Sequence, residues 1–68
     1  MRQPPPYQDL DLATMTAPEL GDLHRRLGEW LDEAMVAEGD DRPPDDLMDA
    51  VHEALVAVAE ERADRQPE

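Results

Sequence analysis

The sequence predicts an all-α fold, a hairpin of two helices over about residues 16–39 and 44–63, preceded by an extended N-terminal arm. Apolar side chains recur at steps of three and four residues in two stretches, and a connection with two adjacent prolines separates them. The second stretch carries more apolar surface than one neighbouring helix covers. We therefore expect an antiparallel four-helix-bundle homodimer. The predicted domains are a flexible arm over 1–15, a helical hairpin domain over 16–64 and a disordered tail over 65–68.

The arm begins with a proline-rich segment that favours neither helix nor central strand. Pro4 to Tyr7 reads P-P-P-Y, a pattern that resembles the ligands of WW domains, which bind polyproline II segments with aromatic rings. From Asp9 onward, Leu10 and Leu12 alternate with acidic residues, and period two predicts an extended segment with one apolar face. That segment is either a short strand pairing with its copy or an arm lying across the helices. Tyr7, Leu10 and Leu12 are candidate partner-binding residues.

The first helix has start and stop signals at both ends. Thr16 and Glu19 match the S/T-x-x-E capping box, Met15 and Leu20 fit a hydrophobic staple, and Gly39 suits a left-handed helix stop. The apolar stripe between these ends predicts a core or dimer-interface surface, with Trp30 as its largest anchor. Its predicted core and interface residues are Leu20, Leu23, Leu27, Trp30, Leu31 and Met35.

The second helix is expected to begin at Pro44, which suits the first helical turn because its missing N–H is not needed there. Asp45 and Asp46 lie where the helix dipole favours carboxylates. Met48 and Val56 lie off the main apolar stripe, which is the reason for expecting a second subunit. The predicted core and interface residues of this helix are Leu47, Met48, Val51, Leu55, Val56 and Val58.

Composition limits the classes of function. The chain has 68 residues, no cysteine and a net charge of −12, so it forms one domain without disulfides. Such a charge repels nucleic acid and anionic membrane surfaces, since phosphate binding depends on Lys and Arg. We expect no direct nucleic-acid or membrane partner and a cytoplasmic location. The abundance of Ala, Asp, Glu, Arg and Pro, with no Lys, Ile, Phe, Asn or Ser, indicates G/C-rich codons and a bacterial origin.

The residues that would support catalysis or metal binding are sparse. The chain has no serine and no glycine-rich phosphate loop. His24 and His52 each lack a second ligand at the i+4 position, and both fit ordinary positions at the edge of a helix face. We therefore predict a protein that is not an enzyme and that holds no metal and no cofactor.

An acidic row on the second helix is the leading candidate site. It has no basic residue within it, so a basic protein partner would relieve its repulsion; its members are Asp45, Asp49, Glu53 and Glu60. The leading hypothesis is a non-enzymatic interaction module, an adaptor, regulator or inhibitor, that acts through exposed helix faces and the arm. An alternative is an acidic nucleic-acid mimic that inhibits a DNA-binding protein or nuclease. A third is a DNA-binding dimer, since an extended segment followed by two helices is similar to the ribbon-helix-helix family in the order of elements.

Overall fold

A computed structural model describes residues 3–65. It is a helical hairpin in which α1 (Ala17–Val36) packs beside α2 (Asp45–Arg65), and 3-10 turns at Leu12–Thr14 and Gly39–Asp41 precede the two helices. Residues 3–65 contain no strand. The prediction of an all-α hairpin is therefore confirmed.

The start of α1 is the one the sequence predicts. The Thr16 N–H donates to Glu19 Oε1 at 3.0 Å, and the Glu19 N–H donates to Thr16 Oγ1 at 3.3 Å, which completes the capping box. Pro18 lies in the first turn, where its missing N–H leaves no intrahelical bond unmade. Helix initiation at this position thus follows from local sequence alone.

The end of α1 differs from the prediction. The helix stops at Val36, the Ala37 N–H makes the last bond to the Glu33 carbonyl at 3.0 Å, and Ala37 is extended with ψ 142°. Gly39 has the expected positive φ of 65°, but it opens a 3-10 turn instead of closing the helix. The last turn of α1 exposes Met35 by 70% and Val36 by 79%, so no packing favours its continuation.

The bounds of α2 also shift slightly. Pro44 precedes the helix and accepts a hydrogen bond from the Met48 N–H at 3.1 Å, so it caps α2 instead of forming its first turn. At the other end α2 continues to Arg65, two residues beyond the expected Ala63. The disordered tail predicted from residue 65 therefore does not include Arg65, and its other residues lie outside the described part of the chain.

The core lies between the two helices and is supplied mostly by α1. The fully buried side chains include Trp30, 1% exposed, and α2 contributes only Val51 and Val58. The buried hydrophobic residues are Leu20, Leu23, Leu27, Trp30, Leu31, Ala34, Val51 and Val58. Half-buried residues packed against them are Tyr7, Leu10, Leu12, Met15, Leu47, Met48, Ala54 and Leu55. Met35 and Val56, the latter 42% exposed, lie outside this intramolecular core; their place at an interface stays a prediction.

The arm contacts the hairpin through its apolar residues. Tyr7, Leu10 and Met15 pack against the core cluster. Leu12–Thr14 forms a 3-10 turn where the alternating pattern predicted an extended segment, because the N–H and hydroxyl of Thr14 both donate to the Asp11 carbonyl, at 3.2 and 3.0 Å. The strand that a ribbon-helix-helix arrangement requires is therefore not formed here.

Candidate functional site

The outward face of α2 carries a row of carboxylates. Asp49, Glu53 and Glu60 are exposed, and Val56 lies in line with them because the four positions are separated by four, three and four residues. Helical periodicity places this row opposite the buried Val51. We call Asp49, Glu53 and Glu60, together with Val56 at their centre, the acidic stripe.

The carboxylates of the acidic stripe have no ion pair within residues 3–65, where the ion pairs join arginines to other carboxylates. Arg25 and Arg26 both bind Asp22, with nitrogen-to-oxygen distances of 2.9 Å. Arg65 binds Glu61 at 3.0 Å. The Asp22–Arg26 and Glu61–Arg65 pairs are those that the helical spacing predicts. Within the described part of the chain, no ion pair therefore neutralises the negative charge of the stripe.

Asp45 differs from the other predicted acidic residues. Its carboxylate lies 3.9 Å from the Arg42 guanidinium, and its side chain is 87% exposed. It also occupies the first turn of α2, where the helix dipole favours a carboxylate. The Arg42 ion pair and the helix dipole therefore explain the carboxylate at Asp45, and the acidic stripe begins at Asp49.

The predicted arm residues do not join the acidic stripe. Tyr7, Leu10 and Leu12 are half-buried against the core, whereas Asp49 and its neighbours in the stripe face outward. These arm side chains already make hydrophobic contacts with the helices of their own chain. The structure therefore separates the predicted partner-binding residues into two surfaces.

Arg65 is a residue whose role sequence reasoning missed. Its guanidinium donates to the carbonyl oxygens of Leu12, at 2.7 Å, and Ala13, at 3.1 Å, and also to that of Met15. These bonds join the last turn of α2 to the 3-10 turn of the arm. The spacing from Glu61 predicts only a local ion pair at this position, and it says nothing about a contact some 50 residues away.

The arm covers one side of the hairpin. Gln3 and Pro5 line a groove of about 280 Å³ with Arg26, Glu29 and Trp30. Further along, Pro6, Leu10 and Met15 line a second groove with residues of α1 that include Glu19, Asp22, Leu23 and Arg26. Leu47 lines the surface beside the arm on α2. We call this surface, around Arg26, Glu29, Trp30 and Leu47, the arm groove.

Helical periodicity places a different set of residues on the opposite side of the hairpin, which we call the open side. From α1 it includes His24, Gly28 and Met35, and from α2 it includes Met48 and Leu55. Gly28 has no other side chain within 4 Å of the place where a Cβ would be. The molecule measures 43 × 22 × 15 Å, and because a helix with its side chains is about 10–12 Å across, the hairpin is a single helical layer.

The titratable groups of residues 3–65 form no metal-binding cluster. No group of three or more His, Asp or Glu in the described chain is placed to hold a metal ion, and His24 and His52 lie on different helices. Hydrogen bonds from the backbone and then the side chain of Thr16 lower the pKa of Glu19. The hydrogen bond to Asp22 and the charge of Glu29 raise the pKa of Arg25.

Neither helix between residues 3 and 65 has an apolar stretch of the length that crossing a membrane requires. Comparison of the chain with models of protein families, with characterised proteins and with solved structures gave no match. The case for function therefore depends on the surfaces described above.

Proposed function

We propose that this protein is a small non-enzymatic interaction module that binds a basic protein partner through the acidic stripe. The observation that carries this proposal is the row of three exposed carboxylates, each without an ion pair in residues 3–65, around the 42% exposed Val56. Uncompensated charges at one surface attract an oppositely charged partner and accelerate encounter. An exposed apolar side chain among them adds a contact that is not electrostatic.

The spacing of the stripe indicates the chemistry of the partner. Asp49 and Glu60 are 11 residues apart, which corresponds to roughly 16 Å along the helix axis. A helix or extended segment with two or three Lys or Arg side chains over that length, and one apolar side chain between them, would match the stripe. Net charge of −12 would steer such a partner from a distance at low ionic strength.

Charge reversal within the stripe tests this proposal. A variant with Asp49→Arg and Glu53→Arg is expected to lose at least ten-fold in affinity for the partner captured by the wild-type protein, because each reversed side chain repels the partner's cations. Calorimetric titration measures the affinity, and circular dichroism checks that the helices persist. Both positions are exposed, so we expect folding to be preserved.

The matched control reverses two carboxylates elsewhere. Asp32→Arg with Glu38→Arg makes the same change in net charge at exposed positions of α1 and of the connection that follows it. We expect this control to retain most of the affinity. The small loss of affinity comes from the change in net charge, so added salt should remove it by screening. Equal binding by both variants would refute the acidic stripe as the binding surface.

A second candidate function is nucleic-acid mimicry. The same unpaired carboxylates, together with the large negative charge, favour a partner whose basic groove ordinarily binds phosphates. Competition separates the two functions, because DNA would displace the protein from a nucleic-acid-binding partner and would leave any other basic partner bound. The affinity of a mimic would also fall steeply with salt.

The homodimer belongs to the same proposal. The support for it is the open side, where Met35 is 70% exposed, Met48 and Leu55 are half-buried, and only one helical layer is present. Pairing two hairpins through their open sides would produce the antiparallel four-helix bundle and would leave both acidic stripes outside. In this arrangement Val56, which the sequence assigned to the dimer interface, would contact the basic partner and not the second subunit. Such a dimer would present two stripes to a partner and so increase avidity.

A further inference from the structure

The open side carries no carboxylate along three rows of positions on the two helices. Residues seven apart lie on nearly the same face of a helix, so each row follows one line along the surface. The rows are Ala17, His24 and Leu31, then Gly21, Gly28 and Met35 on α1, and Met48, Leu55 and Arg62 on α2. None of these residues is Asp or Glu, although Asp and Glu number 18 in the chain.

This lack of carboxylates favours a second copy of the chain as the occupant of the open side. In a symmetric dimer each patch meets its own copy, so a patch with carboxylates would bring like charges together. The arm groove includes Glu29, and the acidic stripe has three carboxylates. Asp45 lies at the outer edge of the open side, where its carboxylate is 3.9 Å from Arg42. The broad face of the hairpin, 43 × 22 Å, can supply the roughly 800 Å² that each partner contributes to a stable interface.

His24 lies half-buried within the open side. The residues three and four positions away from it on α1 are leucines and glycines, which carry no charge. Arg25 follows it but binds Asp22 at 2.9 Å. From α2, Arg62 lies on the same side, and its Nη2 is 4.0 Å from the position that a Cβ of Gly21 would occupy. The guanidinium of Arg62 therefore reaches the turn of α1 that precedes His24.

We propose that His24 makes the dimer sensitive to pH, so that the dimer forms with neutral His24 and weakens when His24 is protonated. This inference rests on the open-side dimer proposed above. A second hairpin would take His24 out of water and bring two copies of Arg62 into one interface. Both desolvation and a nearby cation disfavour a charged imidazole. The affinity between the two copies therefore falls as the pH decreases through the range in which histidine takes up a proton.

His52 is the matched comparison on α2. It is exposed at the outer edge of the open side, with Asp49 three residues before it and Glu53 next to it. The residues of α1 on the open side nearest to its level, Gly28 and Leu31, carry no charge. A protonated His52 would stay in water beside negative charges, so its protonation should cost the dimer little.

The direction of the pH effect separates this mechanism from the effect of net charge. Acid makes a chain of charge −12 less negative, which reduces the repulsion between two copies. That change alone would strengthen the dimer as the pH falls. Protonation of His24 has the opposite effect, so the sign of the response identifies which of the two dominates.

Sedimentation equilibrium of the full chain over a dilution series, at about pH 7.5 and about pH 5.5 in the same salt, tests the proposal. We expect the Kd of the wild-type dimer to rise at least ten-fold on acidification. His24→Gln, which is neutral at both pH values, should form a dimer whose Kd falls or changes by less than about three-fold. His52→Gln should keep the wild-type response. Circular dichroism checks that each variant remains helical at both pH values.

The outcomes distinguish failure of this inference from failure of the dimer. A wild-type Kd that is unchanged or lower in acid would overturn the role of His24 while the dimer itself stands. A ten-fold response that persists in His24→Gln, or that disappears in His52→Gln, would assign the response to another group and would also overturn the proposal. Wild-type protein that stays monomeric at both pH values would refute the dimer and this inference with it.

Discussion

Thr16 and Glu19 show how two side chains determine where a helix begins. Each accepts a hydrogen bond from the backbone N–H of the other, so two of the donors that a helix start leaves unpaired are satisfied. The same bonds lower the pKa of Glu19, first through the backbone N–H of Thr16 and then through its hydroxyl. The stability of α1 is thereby linked to pH.

We predict that Thr16→Ala lowers the free energy of unfolding by about 1 kcal/mol, the usual cost of losing an N-cap side chain. Urea denaturation followed by circular dichroism at neutral pH measures this change. Thr14→Ala is the control, because the Thr14 hydroxyl bonds only within the arm. A loss at Thr14 equal to that at Thr16 would contradict the prediction.

The pH dependence of the capping box follows from the sign of the pKa shift. The folded-state pKa of Glu19 is lower than its ordinary value of 4.5, so the ionised carboxylate stabilises the folded state above that pH. This contribution is lost as the pH falls through the lowered pKa. The difference in stability between wild type and Glu19→Gln should therefore be present at pH 7 and disappear in acid.

Residue-scale features differ in how far the sequence predicts them. The capping box and the intrahelical ion pairs of Asp22 and Glu61 depend on residues three or four apart, so a local pattern reveals them. The contact of Arg65 with Leu12, Ala13 and Met15 joins opposite ends of the chain. No local pattern encodes such a contact, because it depends on how the arm lies across the finished hairpin.

At the scale of elements, both helices follow from apolar periodicity, but their ends do not. α1 ends three residues before Gly39, since its last turn has little to pack against. The 3-10 turn at Leu12–Thr14 replaces an extended segment because Thr14 bonds to Asp11. An alternating pattern of only two leucines is therefore too short to predict an extended segment against local hydrogen bonds and tertiary packing.

The glycines of α1 provide a test at this scale. We predict that Gly28→Ala raises the free energy of unfolding of the dilute protein by roughly 0.5–1 kcal/mol, because alanine favours the helix and nothing lies within 4 Å of the added methyl group. Gly21→Ala should behave similarly, since its Cβ would meet only an Arg62 nitrogen at 4.0 Å. Thermal and urea denaturation at low concentration measure both.

Gly39 is the contrasting control. Its φ of +65° is the left-handed region, so Gly39→Ala should destabilise the protein by about 1–2 kcal/mol. If Gly28→Ala lowered the stability of the dilute protein, the prediction for Gly28 would be contradicted. That result would mean that the helix surface around Gly28 is closely packed within one chain. Comparing the two substitutions therefore distinguishes the effect of helix propensity on stability, tested at Gly28, from that of the left-handed backbone conformation, tested at Gly39.

At the scale of the whole molecule, α2 is the helix that buries fewer of its side chains within one chain. It buries only Val51 and Val58 completely, and the hairpin is one helical layer thick. The sequence predicted this imbalance from Met48 and Val56, but it left open whether the arm lies across the helices or pairs with its copy. The surface that we propose for a second subunit is therefore the open side, not the whole circumference of α2.

A second subunit on the open side would cover Met35. Met35→Glu should therefore weaken self-association at least ten-fold while preserving the hairpin, because Met35 is 70% exposed within one chain. Val36→Glu is the matched control, since Val36 is 79% exposed and helical periodicity points it away from the open side. Sedimentation equilibrium over a dilution series, with helicity followed on the same samples, measures association.

Salt should strengthen the wild-type dimer by screening the repulsion between two chains of charge −12. A wild-type protein that remains a stable monomer throughout would refute the dimer and would make the open side itself the next surface to test for partner binding.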